Sequence, residues 1–135
     1  MSMGFGGWCH IVEQDENTVI YEYGSYNLND PKHYNEIHLS DGIFVIDKNS
    51  LVEPYVYEKI KRLPNGKKKY IVKRIFVDVP YTELYESGKI EIQNCSNCWK
   101  TTADDIDVIA WKLIREVFKI YQENWQLPEG SSINV

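Results

Sequence analysis

Long apolar runs are missing from this sequence, and so are most of the patterns that announce a chemistry. No stretch approaches the roughly 18 consecutive apolar residues that a membrane-spanning helix requires. The opening "MSMGFGGWCHIVEQDE" has neither a basic segment nor a compact apolar core of the signal-peptide kind. Cysteine is scarce, with three residues, Cys9, Cys95 and Cys98, and an odd number fits no closed disulfide framework. These absences point to a reduced, cytoplasmic setting without a membrane anchor. No Gly-x-Ser-x-Gly, His-Glu-x-x-His, P-loop or kinase signature occurs, so an enzyme is not the leading expectation. "GFGG" stands before a strand pattern rather than opening a helix, which removes the geometry of a phosphate loop.

Acid is missing from one place in particular. Residues 59–74, "KIKRLPNGKKKYIVKR", carry eight bases and no acid, whereas residues 1–58 carry ten acids against Lys32 and Lys48. Residues 75–135 add ten acids and five bases, and the chain as a whole is −5. Outside its basic segment the protein is strongly acidic, which suits a basic partner and opposes a polyanion.

What is present is ordinary globular material. With 135 residues, 43% hydrophobic and 26% charged, the chain has the length and composition of one domain, residues 1–135. Ten tyrosines and four tryptophans favour strands and binding surfaces. Alternating apolar residues in "GWCHIVEQ" and "TVIYEYGSY" predict two strands joined by the turn "DEN". "EIHL" and "GIFVID" predict two more around "SDG".

In "YVYEKIKRLPNGKKKYIVKRIFVDV" a long hairpin is expected. Pro64 has no N–H for a ladder bond, which argues against a two-residue Asn65-Gly66 turn. A type I turn followed by Gly66 in the left-handed conformation fits better, pairing Leu63 with Lys67 and Ile60 with Tyr70. A register slipped by one residue, with Glu58 opposite Lys73, is the competing arrangement.

"PYTELYESG" predicts a helical turn ending at Gly88, and "KIEIQN" a short strand. The stretch 101–126 predicts one long helix, capped by Thr101 or Thr102 and stopped by Pro128. Its apolar stripe runs through Ile106, Ile109, Ala110, Leu113, Val117, Ile120 and Tyr121. Trp111, Ile114, Phe118 and Trp125 widen it to an arc of roughly 200°, beyond the ~100° of one buried face. The tail "EGSSINV" is expected to lie loose or along an edge. Strands first and one helix last give an α+β class, an antiparallel sheet of about six strands (a mixed arrangement left open) with the long C-terminal helix on one face.

The candidate sites follow from these placements. Cys95 and Cys98 form a Cys-x-x-Cys pair, to which Cys9 would have to add for a zinc site. The adjacent Cys9 and His10 point to opposite faces of a strand, and no second knuckle exists, so neither metal nor any other cofactor is expected. A thioredoxin-like role would need the pair at a helix N-terminus. His33 and His38 flank Glu36, where surface or turn roles are expected.

The leading expectation is a small protein-binding module, of the type of bacterial immunity or antitoxin proteins that neutralise a basic toxin. Its expected contact residues are Glu13, Asp15, Glu16, Glu22, Asp30, Glu36 and Asp41 for charge, with Tyr21, Tyr23, Tyr26 and Tyr34 as anchors. Trp111, Phe118 and Trp125 form a second expected partner flank. The alternatives are an enzyme or ligand-binding domain with its pocket near the cysteines, and a nucleic-acid-associated protein using residues 59–74.

Overall fold

Alternation decides the first two strands. In the computed structural model, which describes residues 3–134, β1 (Phe5–Gln14) and β2 (Thr18–Asn27) form an antiparallel hairpin. Met1, Ser2 and Val135, touched by the expectations for the N-terminus and the tail, lie outside the described residues. Asp15 makes the turn, its carboxylate accepting the N–H groups of Asn17 at 2.7 Å and Thr18 at 2.8 Å. β3 (Gly42–Asp47) pairs with β2, and β6 (Ile90–Gln93) pairs with β3. On the other side β7 (Gly130–Asn134) runs along β1 as an edge strand. The result is a five-stranded sheet in the order β6-β3-β2-β1-β7, antiparallel at every pairing.

One face of this sheet carries the core. Register aligns Ile11, Tyr21, Phe44 and Ile92 in one row and Val19, Ile46 and Ile90 in the next. Tyr21, Phe44, Val19, Ile46 and Ile90 are fully buried. The Tyr21 and Phe44 rings stack at 5.2 Å, and the Tyr21 hydroxyl donates to the Pro128 carbonyl at 2.6 Å. Helix α2 (Val108–Asn124) lies on this face, burying Ile109, Ala110, Leu113, Ile114, Val117 and Phe118. It crosses β1 at Gly7, where a Cβ would sit 2.5 Å from the Ile109 Cγ2 methyl. Only glycine lets the helix approach the strand there.

The α+β class stands, with corrections in two elements. "EIHL" is not a strand. Asn35 and His38 both have φ of 53°, and the Asn35 side chain bonds the Ser25 and Leu39 carbonyls and the Leu39 N–H, folding 34–41 into a clamped loop. The long helix starts at Val108, not after Thr101 or Thr102. Residues 101–107 form a tight loop with Asp105 at φ 64°, and Asp107 is the cap, its carboxyl accepting the Ile109 N–H at 2.9 Å. The helix ends before Pro128 acts, where Trp125 turns left-handed at φ 58°. Ile120 and Tyr121, expected in the buried stripe, are only half-buried.

β4 (Tyr55–Arg62) and β5 (Lys68–Ile75) form the long hairpin as a separate two-stranded ribbon, outside the main sheet. Its turn resolves the question of register. Gly66 has φ 82°, its N–H bonds the Leu63 carbonyl at 3.0 Å, and Ile60 pairs with Tyr70 as the proline argument requires. No atom lies near the position a Gly66 Cβ would take, so the cost of a side chain is purely conformational. Gly66→Ala is expected to lower stability by about 1 kcal/mol in chemical denaturation, since alanine resists a positive φ. An unchanged midpoint would mean the turn does not hold that conformation in solution.

The ribbon is tied to the body at its base. Arg74 donates to the Glu123 carbonyl at the C-terminal end of α2 at 2.5 Å, and its guanidinium lies 5.8 Å from the Trp125 ring. That is a favourable place for a cation, against the negative end of the helix dipole. Just beyond β5, the buried Gln122 amide exchanges two hydrogen bonds with the Val77 backbone, at 2.8 and 2.9 Å. The chain then enters α1 (Tyr81–Glu86), which ends through Gly88 at φ 80° and delivers β6.

Candidate functional site

The acidic candidates do not come together. Glu13, Asp15 and Glu16 sit at the β1–β2 turn, whereas Asp30, Glu36 and Asp41 sit in the loop beyond the far end of β2. Ten residues of strand, about 33 Å, separate the two groups. Glu22 lies between them on the sheet face away from α2, 3.2 Å from the His10 ring. Several of these carboxylates are already engaged locally. The backbone N–H groups of Asn17 and Thr18 hold the Asp15 carboxyl below the usual range. His33, at 2.8 Å, and the Lys32 N–H do the same for Asp30. Asp41 accepts the Ser96 N–H at 3.0 Å. Glu13, Glu16 and Glu36 remain as exposed charges.

The tyrosines divide in the same way. Tyr21 and Tyr23 are fully buried under α2 and present nothing to a partner, because their strand turns them inward. Tyr26 is half-buried on the outer face, stacked 5.9 Å from Trp8 and donating to the Asn134 side chain. Tyr34 is exposed. Of the expected helical flank, Phe118 is buried in the core, Trp111 is half-buried and Trp125 is 50% exposed.

Cys95 belongs to a buried polar cluster with Tyr23, Ser25 and Asp107. Among the described residues no group of three or more His, Cys, Asp or Glu is arranged to hold a metal ion, and Cys9, Cys95 and Cys98 do not form one. The Tyr23 hydroxyl donates to Asp107 Oδ2 at 2.8 Å and accepts the Cys95 N–H at 3.0 Å. The Cys95 thiol lies 3.4 Å from both Asp107 Oδ2 and Ser25 Oγ. Burial, and then the Asp107 carboxyl, push the Tyr23 phenol well above its ordinary value. Burial likewise pushes Cys9 up to about 12 and Cys98 up to about 12, and raises Cys95. At neutral pH these groups stay protonated, the opposite of what a redox or nucleophilic thiol requires. At the start of α2 the Cys95 thiol meets the Asp107 carboxyl, whose charge opposes a thiolate. The visible work of the Cys-x-x-Cys turn is structural: Asn97 bonds the Ser25 and His33 carbonyls and pins the 28–41 loop to β2.

A concavity lies elsewhere, between α1 and the first turns of α2. It is an open groove of about 680 Å³. Tyr81, Tyr85 and Trp111 form its aromatic wall, with Trp111 edge-on to Tyr81 at 6.4 Å and to Tyr85 at 5.8 Å. Arg115 lies 5.5 Å from the Tyr81 ring, Lys112 stands beside it, and Glu86 and Asp104 border the groove. Burial raises the Tyr81 phenol, and the Arg115 charge works against that shift. An aromatic wall rimmed by charges of both signs suits a side chain with an apolar body and a polar end. Of this site the sequence pointed only to Trp111. "PYTELYESG" and the helix are separated by nineteen residues, and nothing local marks them as neighbours. The chain matches no protein-family model, no curated protein and no solved structure.

Proposed function

We propose that this protein is a protein-binding module that receives a segment of its partner in the groove between α1 and α2. The observation that supports this most is the composition of that groove: tyrosine, tryptophan and arginine are the residues that carry most binding energy at protein interfaces, and here they converge on one open cavity. A lysine or arginine from the partner would meet the Tyr85 and Trp111 rings beside Glu86 and Asp104, while Lys112 and Arg115 would take a neighbouring acceptor. The acidic charge of the rest of the body, with Glu13, Glu16 and Glu36 exposed, would speed the approach of such a partner. An immunity- or antitoxin-type role, in which a basic protein is neutralised by being covered, agrees with both features.

The test begins with partners that co-purify with the tagged protein from its source cells, identified and then produced separately. Trp111→Ala and Tyr85→Ala should each weaken binding by about 2 kcal/mol, roughly thirtyfold, chiefly through faster dissociation. Circular dichroism would verify that both variants remain folded. A purified partner that binds the wild type and both folded variants equally would place recognition outside the groove.

A further inference from the structure

The two-stranded β4–β5 ribbon is exposed on both faces. Tyr70 is 68% exposed and Ile60 52%, and within the two strands only Tyr57 and Ile71 are even half-covered. Directly opposed residues of an antiparallel pair share a face. One face therefore carries Lys59, Lys61, Lys69 and Lys73, and the other Arg62, Lys68 and Arg74 with Glu58. The charges concentrate toward the turn, where residues 61–69 hold Lys61, Arg62, Lys67, Lys68 and Lys69 and no acid. Lys61 stands opposite Lys69, and Arg62 opposite Lys68, pairings that weaken a ribbon by like-charge repulsion. Among the described residues no lysine or arginine forms an ion pair, so no such pair among them relieves this repulsion.

We infer that the tip of this ribbon is a nucleic-acid-binding element that enters the major groove of duplex DNA. Cations on both faces are the deciding feature. An acidic protein surface would neutralise one face, whereas a groove offers phosphate walls on both sides. The major groove is about 12 Å wide and admits a two-stranded ribbon, while the deep, narrow major groove of duplex RNA does not. The rest of the protein, at −13, would oppose a polyanion held against it. Eight-residue strands, however, set the tip about 25 Å from the ribbon's base. That is about three screening lengths at physiological salt, so the acidic body acts only weakly on what the tip holds. The turn built on Pro64 and Gly66 keeps the two basic strand ends together.

The experiment is a fluorescence-anisotropy titration of the full chain with a labelled DNA duplex of mixed sequence, repeated between about 50 and 200 mM salt. Binding should weaken steeply, with a slope of log K on log salt near −4 to −5 if all the tip cations are engaged. Lys67→Gln/Lys68→Gln/Lys69→Gln should flatten that slope by about 3 and Lys61→Gln/Arg62→Gln by about 2, while Lys89→Gln/Lys100→Gln leaves it unchanged. Circular dichroism would confirm that each variant is folded. Absence of duplex binding at the lowest salt would overturn the inference, as would tip variants with an unaltered slope. Equal competition by polyglutamate, tighter binding of duplex RNA, or salt-sensitive self-association in sedimentation would also overturn it, in favour of an acidic protein, RNA or a second copy of the chain.

Discussion

Leu113→Ala is expected to destabilise the protein by about 3 kcal/mol, the middle of the range for truncating a buried leucine. Leu113 is fully buried at the centre of α2, between Ile109 and Val117 on the helix and the inner face of the sheet. The adjacent strand glycine, Gly7, makes the site unforgiving. A Cβ there would lie 3.5 Å from Leu113 Cδ1, and the glycine is in place because helix and strand are already in contact. Backbones packed this closely cannot move together to fill the space three lost carbons would leave, so the cavity persists. Lys112→Ala, one residue and about 100° further around the helix, is half-buried along the groove rather than under the sheet and is expected to cost far less, about 0.5 kcal/mol. Denaturant midpoints measured on both variants decide the matter. Comparable losses at 112 and 113 would mean that the helix faces the sheet differently from the packing described.

The phase of that helix was legible from its apolar spacing, because a 3.6-residue period leaves few alternatives. The ribbon turn was legible for a similar reason: proline at 64 removes one donor and glycine at 66 permits one conformation, so chemistry at two positions fixes a register across many. Where the helix begins was not legible. Residues 101–107 offer two threonines and three aspartates as caps, and the choice of Asp107 depends on Tyr23 and Cys95, which the fold brings in from elsewhere. "EIHL" alternates like a strand, yet Asn35 supplies its backbone with side-chain hydrogen bonds and no ladder forms. The groove was least visible of all, since Tyr81 and Tyr85 meet Trp111 only through packing of α1 on α2. The same burial explains why half of the expected tyrosine anchors are core residues. β2 is a central strand, and its alternate positions belong to the helix-covered face.

Asp107→Ala should cost about as much as the leucine truncation, roughly 3 kcal/mol, although it removes no apolar surface. Two separable losses add up to that figure. The first is the helix cap, because Asp107 Oδ1 satisfies the Ile109 N–H at 2.9 Å, and such caps are worth about 1 kcal/mol. The second is the acceptor for the buried Tyr23 hydroxyl, which has Asp107 Oδ2 at 2.8 Å and no water-facing alternative. A buried donor left without its partner costs about 1–3 kcal/mol. Asp107→Asn keeps an oxygen for the cap but turns an N–H donor toward the tyrosine, so the Tyr23 O–H still lacks an acceptor and the variant should recover only the cap, losing about 2 kcal/mol. Tyr23→Phe separates the two contributions, since with no hydroxyl to strand, Asp107→Ala on that background should cost only the cap. The double variant should therefore fall short of the sum of the single ones by about 1–2 kcal/mol. Denaturant unfolding of the four proteins gives this coupling directly. If the two substitutions simply add, the hydrogen bond between Tyr23 and Asp107 is not what holds the start of α2 against the sheet.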